Sequence, residues 1–211
     1  MRVKICGLTQ INQATEIVDR GANSIGFICV ERSPRYINPE QIKAIAISLP
    51  SNIDLVGVFA DHSVTEIAEV VKTAKLTSVQ LHGKESADFC ARLRQALHDG
   101  IEIIKAFRIK TAASLEDTEA YLNRVDTLLL DAYHPQMLGG TGHTIDWQDL
   151  KQFKPSLPWL LAGGLTPSNI GDALSRLQPD GIDLSSGVER SPGDKDLTKV
   201  TQLFEQLAIV R

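Results

Sequence analysis

Apolar residues in this chain fall in short blocks, and the blocks alternate with longer amphipathic stretches. Eight blocks stand out: Val3–Cys6, Ser24–Ile28, Asp54–Phe59, Ser78–Leu81, Ile101–Phe107, Asp126–Leu130, Trp159–Ala162 and Gly181–Leu184. Most are β-branched or leucine-rich and bounded by glycine or polar residues, the pattern of strands buried on both faces. Between them apolar residues recur at three- and four-residue spacing, as at Ala14, Ile17 and Val18, at Ile42, Ala44 and Ile45, from Val64 to Val71 and from Leu197 to Leu207. That spacing predicts helices with one buried stripe. Ser63 with Glu66 three residues on predicts a capping box, and Pro167 predicts a helix start close by.

Strand-then-helix units repeated eight times, joined by right-handed crossovers, close most naturally into a (β/α)₈ (TIM) barrel. A doubly wound open sheet is the competing architecture, but its first turn would carry a G-x-G-x-x-G run. Here the first strand leads into Cys6, Gly7, Leu8 and Thr9 instead. No linker or low-complexity segment interrupts the series, so residues 1–211 are expected to form one α/β barrel domain.

Composition narrows the partners. The 211 residues are 43% apolar and 23% charged, an ordinary globular balance. A net charge of −4 with only 5% aromatic residues lacks the basic, aromatic-studded face of a nucleic-acid binder. No run approaches the roughly 18 apolar residues of a membrane span, and the amino end has no signal-peptide core. The three cysteines, Cys6, Cys29 and Cys90, are odd in number and have no Cys-x-x-Cys spacing, which argues against a disulfide framework or a cysteine-based metal site. A cytoplasmic protein that takes a small molecule is expected. A monomer is compatible with the sequence, which does not fix the assembly.

A barrel builds its active site at the carboxyl ends of its strands. Polar residues expected there are Cys6, Gln80 and His82, Asp131, and Asp183. Alternation along a strand groups Lys4 with Cys6, Leu129 with Asp131, and Gly181 with Asp183. If those faces point inward, Cys6, Asp131 and Asp183 share the mouth. Two glycine-bearing turns, Ala162–Leu165 and Ser185–Gly187, follow the last two strands, a frequent phosphate site in barrels. A third, Gly139–Gly142, is not a nucleotide loop and is expected to cover the site. Blander readings stand beside these. Cys29 and Cys90 read as core thiols, and Asp183 could simply pair with Lys4 or Lys105 inside the barrel. Arg35 could be a surface residue after Pro34, while His62, His98, His134 and His143 read as solvated, with no metal-binding spacing.

Taken in order, the motifs resemble one family across the whole chain. They are Lys4–Thr9, Gly26–Ile28 with Ser33–Tyr36, Val56–Phe59, Val79–Gly83, Leu130–Asp131, Gly139–Gly142 with Asp146 and Trp147, Ala162–Leu165, and Asp183–Glu189. This run is similar to that of the phosphoribosylanthranilate isomerases of tryptophan biosynthesis. The resemblance implies a cofactor-free barrel enzyme that performs an Amadori rearrangement of N-(5-phosphoribosyl)anthranilate. It implies Asp131 as general acid, Cys6 as general base and Arg35 against the anthranilate carboxylate. Gly163, Gly164, Ser185 and Ser186 would hold phosphate, with His82 and Asp183 near the sugar. Cys29, where an aromatic is common, and Ile145, where phenylalanine is usual, depart from the family pattern.

The acid and base roles are demanding. Ordinary pKa values leave roughly 3% of a thiol ionised and about 0.1% of an aspartate protonated at pH 7. A cation such as Lys4 beside Cys6, and burial or bound phosphate around Asp131, are the expected corrections. Three other readings compete. A Schiff-base aldolase would want lysine where Asp131 stands. The sister isomerase of histidine biosynthesis resembles an aspartate pair where this chain has Cys6. A non-catalytic barrel that binds a phosphate ligand would not need both Cys6 and Asp131.

Overall fold

The computed structural model describes residues 1–109, 112–132 and 147–210. All eight expected blocks are strands: β1 (Arg2–Cys6), β2 (Ser24–Ile28), β3 (Asp54–Phe59), β4 (Ser78–Leu81), β5 (Glu102–Ile109), β6 (Thr127–Ala132), β7 (Trp159–Ala162) and β8 (Gly181–Leu184). Each pairs in parallel with the next, and β8 returns to β1 with Lys4 opposite Asp183 and Ile5 opposite Leu184. The sheet is therefore a closed (β/α)₈ barrel, and the open-sheet alternative is excluded.

The outer layer contains α1 (Ile11–Asp19), α2 (Pro39–Ser48), α3 (Val64–Ala74), α4 (Ala87–Ala96), α5 (Trp147–Leu150), α6 (Ile170–Arg176) and α7 (Leu197–Val210). The capping box is present as expected: Ser63 Oγ accepts from Glu66 N at 3.2 Å, and Glu66 Oε2 accepts from Ser63 N at 2.7 Å. Asn38 and Gln41 repeat it ahead of α2. Pro167 lies three residues before α6, because the intervening turn is held by Asn169. Its Oδ1 accepts from Thr166 N and its Nδ2 donates to Gly164 O. The unit after β5 carries a 3₁₀ segment, Ala112–Tyr121, in place of an α-helix. Its few apolar residues, such as Leu115 and Tyr121, reach the core only in part.

Strand alternation divides the core. Odd-numbered residues of β1 and β2, such as Val3, Ile5, Ile25 and Phe27, face outward under the helices and are almost fully buried. The lumen has an apolar side formed by Val56, Ile104, Ala106, Leu129, Leu160 and Ala162. Its other side is small and polar, from β8, β1 and β2. At the amino end Glu102 closes the barrel, accepting from Arg2 Nη1 at 2.7 Å, Ser78 Oγ at 2.9 Å and Thr127 Oγ1 at 2.6 Å. Arg2 Nε lies 3.2 Å from Asp54 Oδ2 without hydrogen-bond alignment.

Two elements lie outside the sequence expectation. After β8, a short antiparallel hairpin of β9 (Glu189–Ser191) and β10 (Asp194–Lys195) folds back toward the carboxyl end of β1. Lys105 does not share the lumen with Lys4. It sits on the outward face of β5, buried, and donates to Leu81 O, Gly83 O and Glu85 Oε2. Among the described residues no helix is long and apolar enough to cross a membrane.

Candidate functional site

A cavity of about 250 Å³ opens at the carboxyl ends of the strands, and Cys6, Arg35, His82, Asp131 and Asp183 all line it. Gly163, Gly164, Ser185 and Ser186 complete the wall on the β7 and β8 side. All nine residues singled out from the sequence thus meet in one place. A wider hollow of about 780 Å³ lies alongside, between the ends of β4 and β5 and the 3₁₀ segment, and shares His82 with the cavity. It contains neither Cys6 nor Asp131, so the smaller cavity is the one that brings the candidate acid and base together.

Cys6 ends β1 with its side chain turned into the lumen, and Gly26 opposite leaves it room. A Cβ on Gly26 would stand 2.6 Å from Cys6 Sγ and 3.0 Å from Lys4 Nζ. Lys4 Nζ, wholly buried, donates to both Asp183 oxygens at 3.0 Å. Burial is the largest influence on this ammonium and works against it. Asp183 and Cys6 together outweigh burial and hold Lys4 above its ordinary pKa. So the cation beside Cys6 is Lys4, and Asp183 takes Lys4, not Lys105, as its partner.

The effect on Cys6 is not the expected one. Burial pushes the thiol up, and the repulsion of Asp183 adds to it. Lys4 and Lys195 oppose both, yet the net direction is upward. Cys29 and Cys90 are buried and are pushed up to about 12 and about 11 respectively, mainly by desolvation. All three thiols are unpaired.

Lys195 is a residue that the sequence reading missed. It is fully buried on β10, and its Nζ donates to Cys6 O, to Ser185 O at 3.3 Å and to Glu189 Oε1 at 2.7 Å. Burial holds it below the usual lysine value despite Glu189. Glu189 also clamps Arg35, accepting from Nε at 2.9 Å and Nη2 at 2.6 Å. Desolvation raises this carboxyl, but Arg35, Lys195 and Gly193 N more than reverse it, so Glu189 lies below the carboxylate range. Arg35 is therefore no free surface arginine; one edge of its guanidinium is fixed and Nη1 has no partner among the described residues. The one available signal was a charged run, Glu189 to Asp196, directly after the second glycine turn.

The remaining residues fall around this centre. Asp131 stands near the end of β6, partly exposed, with His82 Nε2 at 3.6 Å from its Oδ2. His82 Nδ1 is in turn 3.0 Å from Gln80 Nε2. Gly163 and Gly164 have φ of +90° and +64°, a left-handed turn that strains any residue with a Cβ, and both line the cavity. Ser185 Oγ donates to Cys6 O at 3.0 Å, so that hydroxyl hydrogen is already committed. His62 is not simply solvated. It packs edge-on against Phe59 with ring centres 5.5 Å apart, and its Nδ1 lies 3.1 Å from Ala60 O. Gly139–Gly142, Ile145, Asp146, His134 and His143 lie outside the described residues. Among those described, no group of three or more histidine, cysteine or acidic side chains could hold a metal ion.

A thiol and a carboxyl share the wall of one small cavity at the carboxyl end of a (β/α)₈ barrel, the place where barrel enzymes carry their active sites. Comparisons with known proteins narrow this class. The family model for N-(5'-phosphoribosyl)anthranilate isomerase matches residues 3–206. The isomerases of that name from Microcystis aeruginosa and Rippkaea orientalis are 61% and 58% identical over 207 residues, covering 98% of this chain and 97% and 96% of theirs. The crystal structure of phosphoribosyl anthranilate isomerase from Thermotoga maritima superposes with a TM-score of 0.88 at 33% identity, covering 99% of this chain and 98% of that one. A further structure, at 31% identity and a TM-score of 0.84, holds reduced 1-(o-carboxyphenylamino)-1-deoxyribulose 5-phosphate. The chain belongs to the N-(5'-phosphoribosyl)anthranilate isomerase family.

Proposed function

We propose that the chain converts N-(5-phosphoribosyl)anthranilate to 1-(2-carboxyphenylamino)-1-deoxyribulose 5-phosphate, as one catalytic barrel working in the cytoplasm. The observation that carries this reading is that Cys6 and Asp131, from β1 and β6, line the same cavity as the two glycine-bearing turns. The protonated Asp131 carboxyl gives its proton to the furanose ring oxygen. The bond from that oxygen to C1 breaks as the anilino nitrogen lone pair forms the imine. The Cys6 thiolate then takes the proton from C2, and those electrons move to the nitrogen side to give an enolamine, which tautomerises to the ketone.

The other residues bind and orient. Backbone N–H groups of Gly163, Gly164, Ser185 and Ser186 meet the phosphate, and Ser186 adds its hydroxyl. Arg35, braced by Glu189, offers Nη1 to the anthranilate carboxylate, where a planar guanidinium suits a planar anion. Asp183, held by Lys4, and His82 face the sugar. The test is turnover of phosphoribosylanthranilate by purified protein, followed by the loss of substrate fluorescence. Turnover that survives in Cys6→Ala at near-native rate would remove the base assignment. No turnover by native protein with an intact circular dichroism spectrum would remove the reading itself.

A further inference from the structure

We propose that Gln80 is a positioning residue for this reaction, holding His82 in the tautomer that carries its proton on Nε2, toward Asp131. The proposal rests on the reading of Asp131 as the general acid. Gln80 sits within β4 on the same face as His82, two residues on, and is only 1% exposed. Its Nε2 stands 3.0 Å from His82 Nδ1. An amide nitrogen carries hydrogens and offers no lone pair, so Nδ1 must be the acceptor of this bond. In a neutral imidazole the ring hydrogen is then on Nε2, and Nε2 is the atom that faces Asp131 Oδ2 at 3.6 Å.

The tautomer has a chemical consequence. With a hydrogen on Nε2, His82 cannot accept the proton of Asp131, so that proton is left for the ligand. Once it has gone, the new carboxylate meets an N–H donor. In the other tautomer a bare Nε2 would face Asp131, first competing with the ligand for the proton and then repelling the carboxylate. Gln80 Oε1 is buried without a partner among the described residues, and Gln80 is part of the wall of the cavity that also holds Cys6 and Asp131.

The test pairs nitrogen-15 NMR of the histidine rings with kinetics. The five histidines are sorted by subtracting the spectrum of His82→Asn, which identifies His82 in the native protein. The expected result is a neutral His82 with Nε2 protonated and Nδ1 bare. In Gln80→Glu the new carboxylate accepts from Nδ1 and reverses the tautomer. In Gln80→Met, similar in shape, both forms coexist. Gln80→Glu is expected to lower kcat by at least about tenfold, part of the roughly 10²–10⁴-fold that general acid–base catalysis supplies, with a smaller change in KM. Gln80→Met should fall between it and the native enzyme. An Nδ1-protonated His82 in native protein overturns the proposal, as does native kcat in a folded Gln80→Glu. The native spectrum decides even if the variants fail to fold. If native protein does not turn over phosphoribosylanthranilate, the functional reading fails while the tautomer remains independently measured.

Discussion

Replacing Lys4 by methionine removes the charge at the centre of the site while keeping an unbranched side chain only one atom shorter. Nζ lies 3.0 Å from both oxygens of Asp183, and the pair is almost completely buried. At an effective dielectric constant near 20 the gross attraction is about 5 kcal/mol. Taking each ion out of water costs several kcal/mol, so the intact pair contributes little net stability. Breaking it is different, because Lys4→Met leaves the Asp183 carboxylate buried and unpaired, a loss of about 3–5 kcal/mol. For a chain of this size each kcal/mol moves the melting point by about 2–4 °C, so a fall of roughly 6–20 °C is expected. Removing both charges, in Lys4→Met with Asp183→Leu, should recover much of that loss, giving a coupling of at least about 1.5 kcal/mol in a double-mutant cycle. Urea unfolding of all four proteins, with equal m-values, supplies the numbers. A single variant that melts within about 2 °C of native, or two losses that simply add, would refute the view that one ion is kept there by the other.

Other outcomes follow from the same geometry. Asp131→Asn should lose at least about two orders of magnitude in turnover with its melting point preserved, the usual worth of a general acid; fluorescence turnover and a thermal scan check both. Gly26→Ala would press a methyl against Cys6 Sγ and Lys4 Nζ, and should cost about 1–3 kcal/mol as overpacking does while also lowering kcat. Normal activity and stability would mean that Gly26 is not there to make room. Glu189→Gln should raise KM more than it lowers kcat, because Arg35 loses its ionic brace; steady-state kinetics separates the two. The folded pKa of Glu189 is depressed, so its contribution is present above the ordinary carboxyl value of about 4.3 and is lost as pH falls through the lower folded value. Across that acid window native stability should fall more steeply than that of Glu189→Gln in urea titrations at stepped pH; equal slopes would contradict the linkage.

What could be read from the sequence follows a physical line. Strands of a closed parallel barrel are buried on both faces, so each leaves a compact apolar block that needs no long-range information to find. The same alternation that placed Cys6, Asp131 and Asp183 at the mouth also forbids Lys105 from the lumen, since Ile104 and Ala106 on either side of it face inward. Its partner Glu85 is far along the chain and left no local sign. One of the helical units departs from an even series for a related reason. Ala112–Tyr121 has too few apolar residues in phase to make a stripe. Lys195 and Glu189 were beyond reach because a seven-residue hairpin has no periodicity to detect, and only its fold carries Lys195 back to the end of β1.

That hairpin changes the account of the base. Lys4 alone, beside a cysteine, would suggest an activated thiol. The structure sets two buried ammonium groups against desolvation and the carboxylate of Asp183, and desolvation leads. The cations therefore limit a penalty that the buried position imposes, and do not make Cys6 an acidic thiol. Lys195 spends its donors on the carbonyls of Cys6 and Ser185 and on Glu189, so its part is largely to fix where β1 ends and where Arg35 stands. Lys4 has fewer partners, and both of them, Asp183 and Cys6, are in the cavity wall. Of the two, Lys4 is the one whose loss should be felt at the Cys6 sulfur, and Lys195 the one whose loss should be felt in the position of the groups around it.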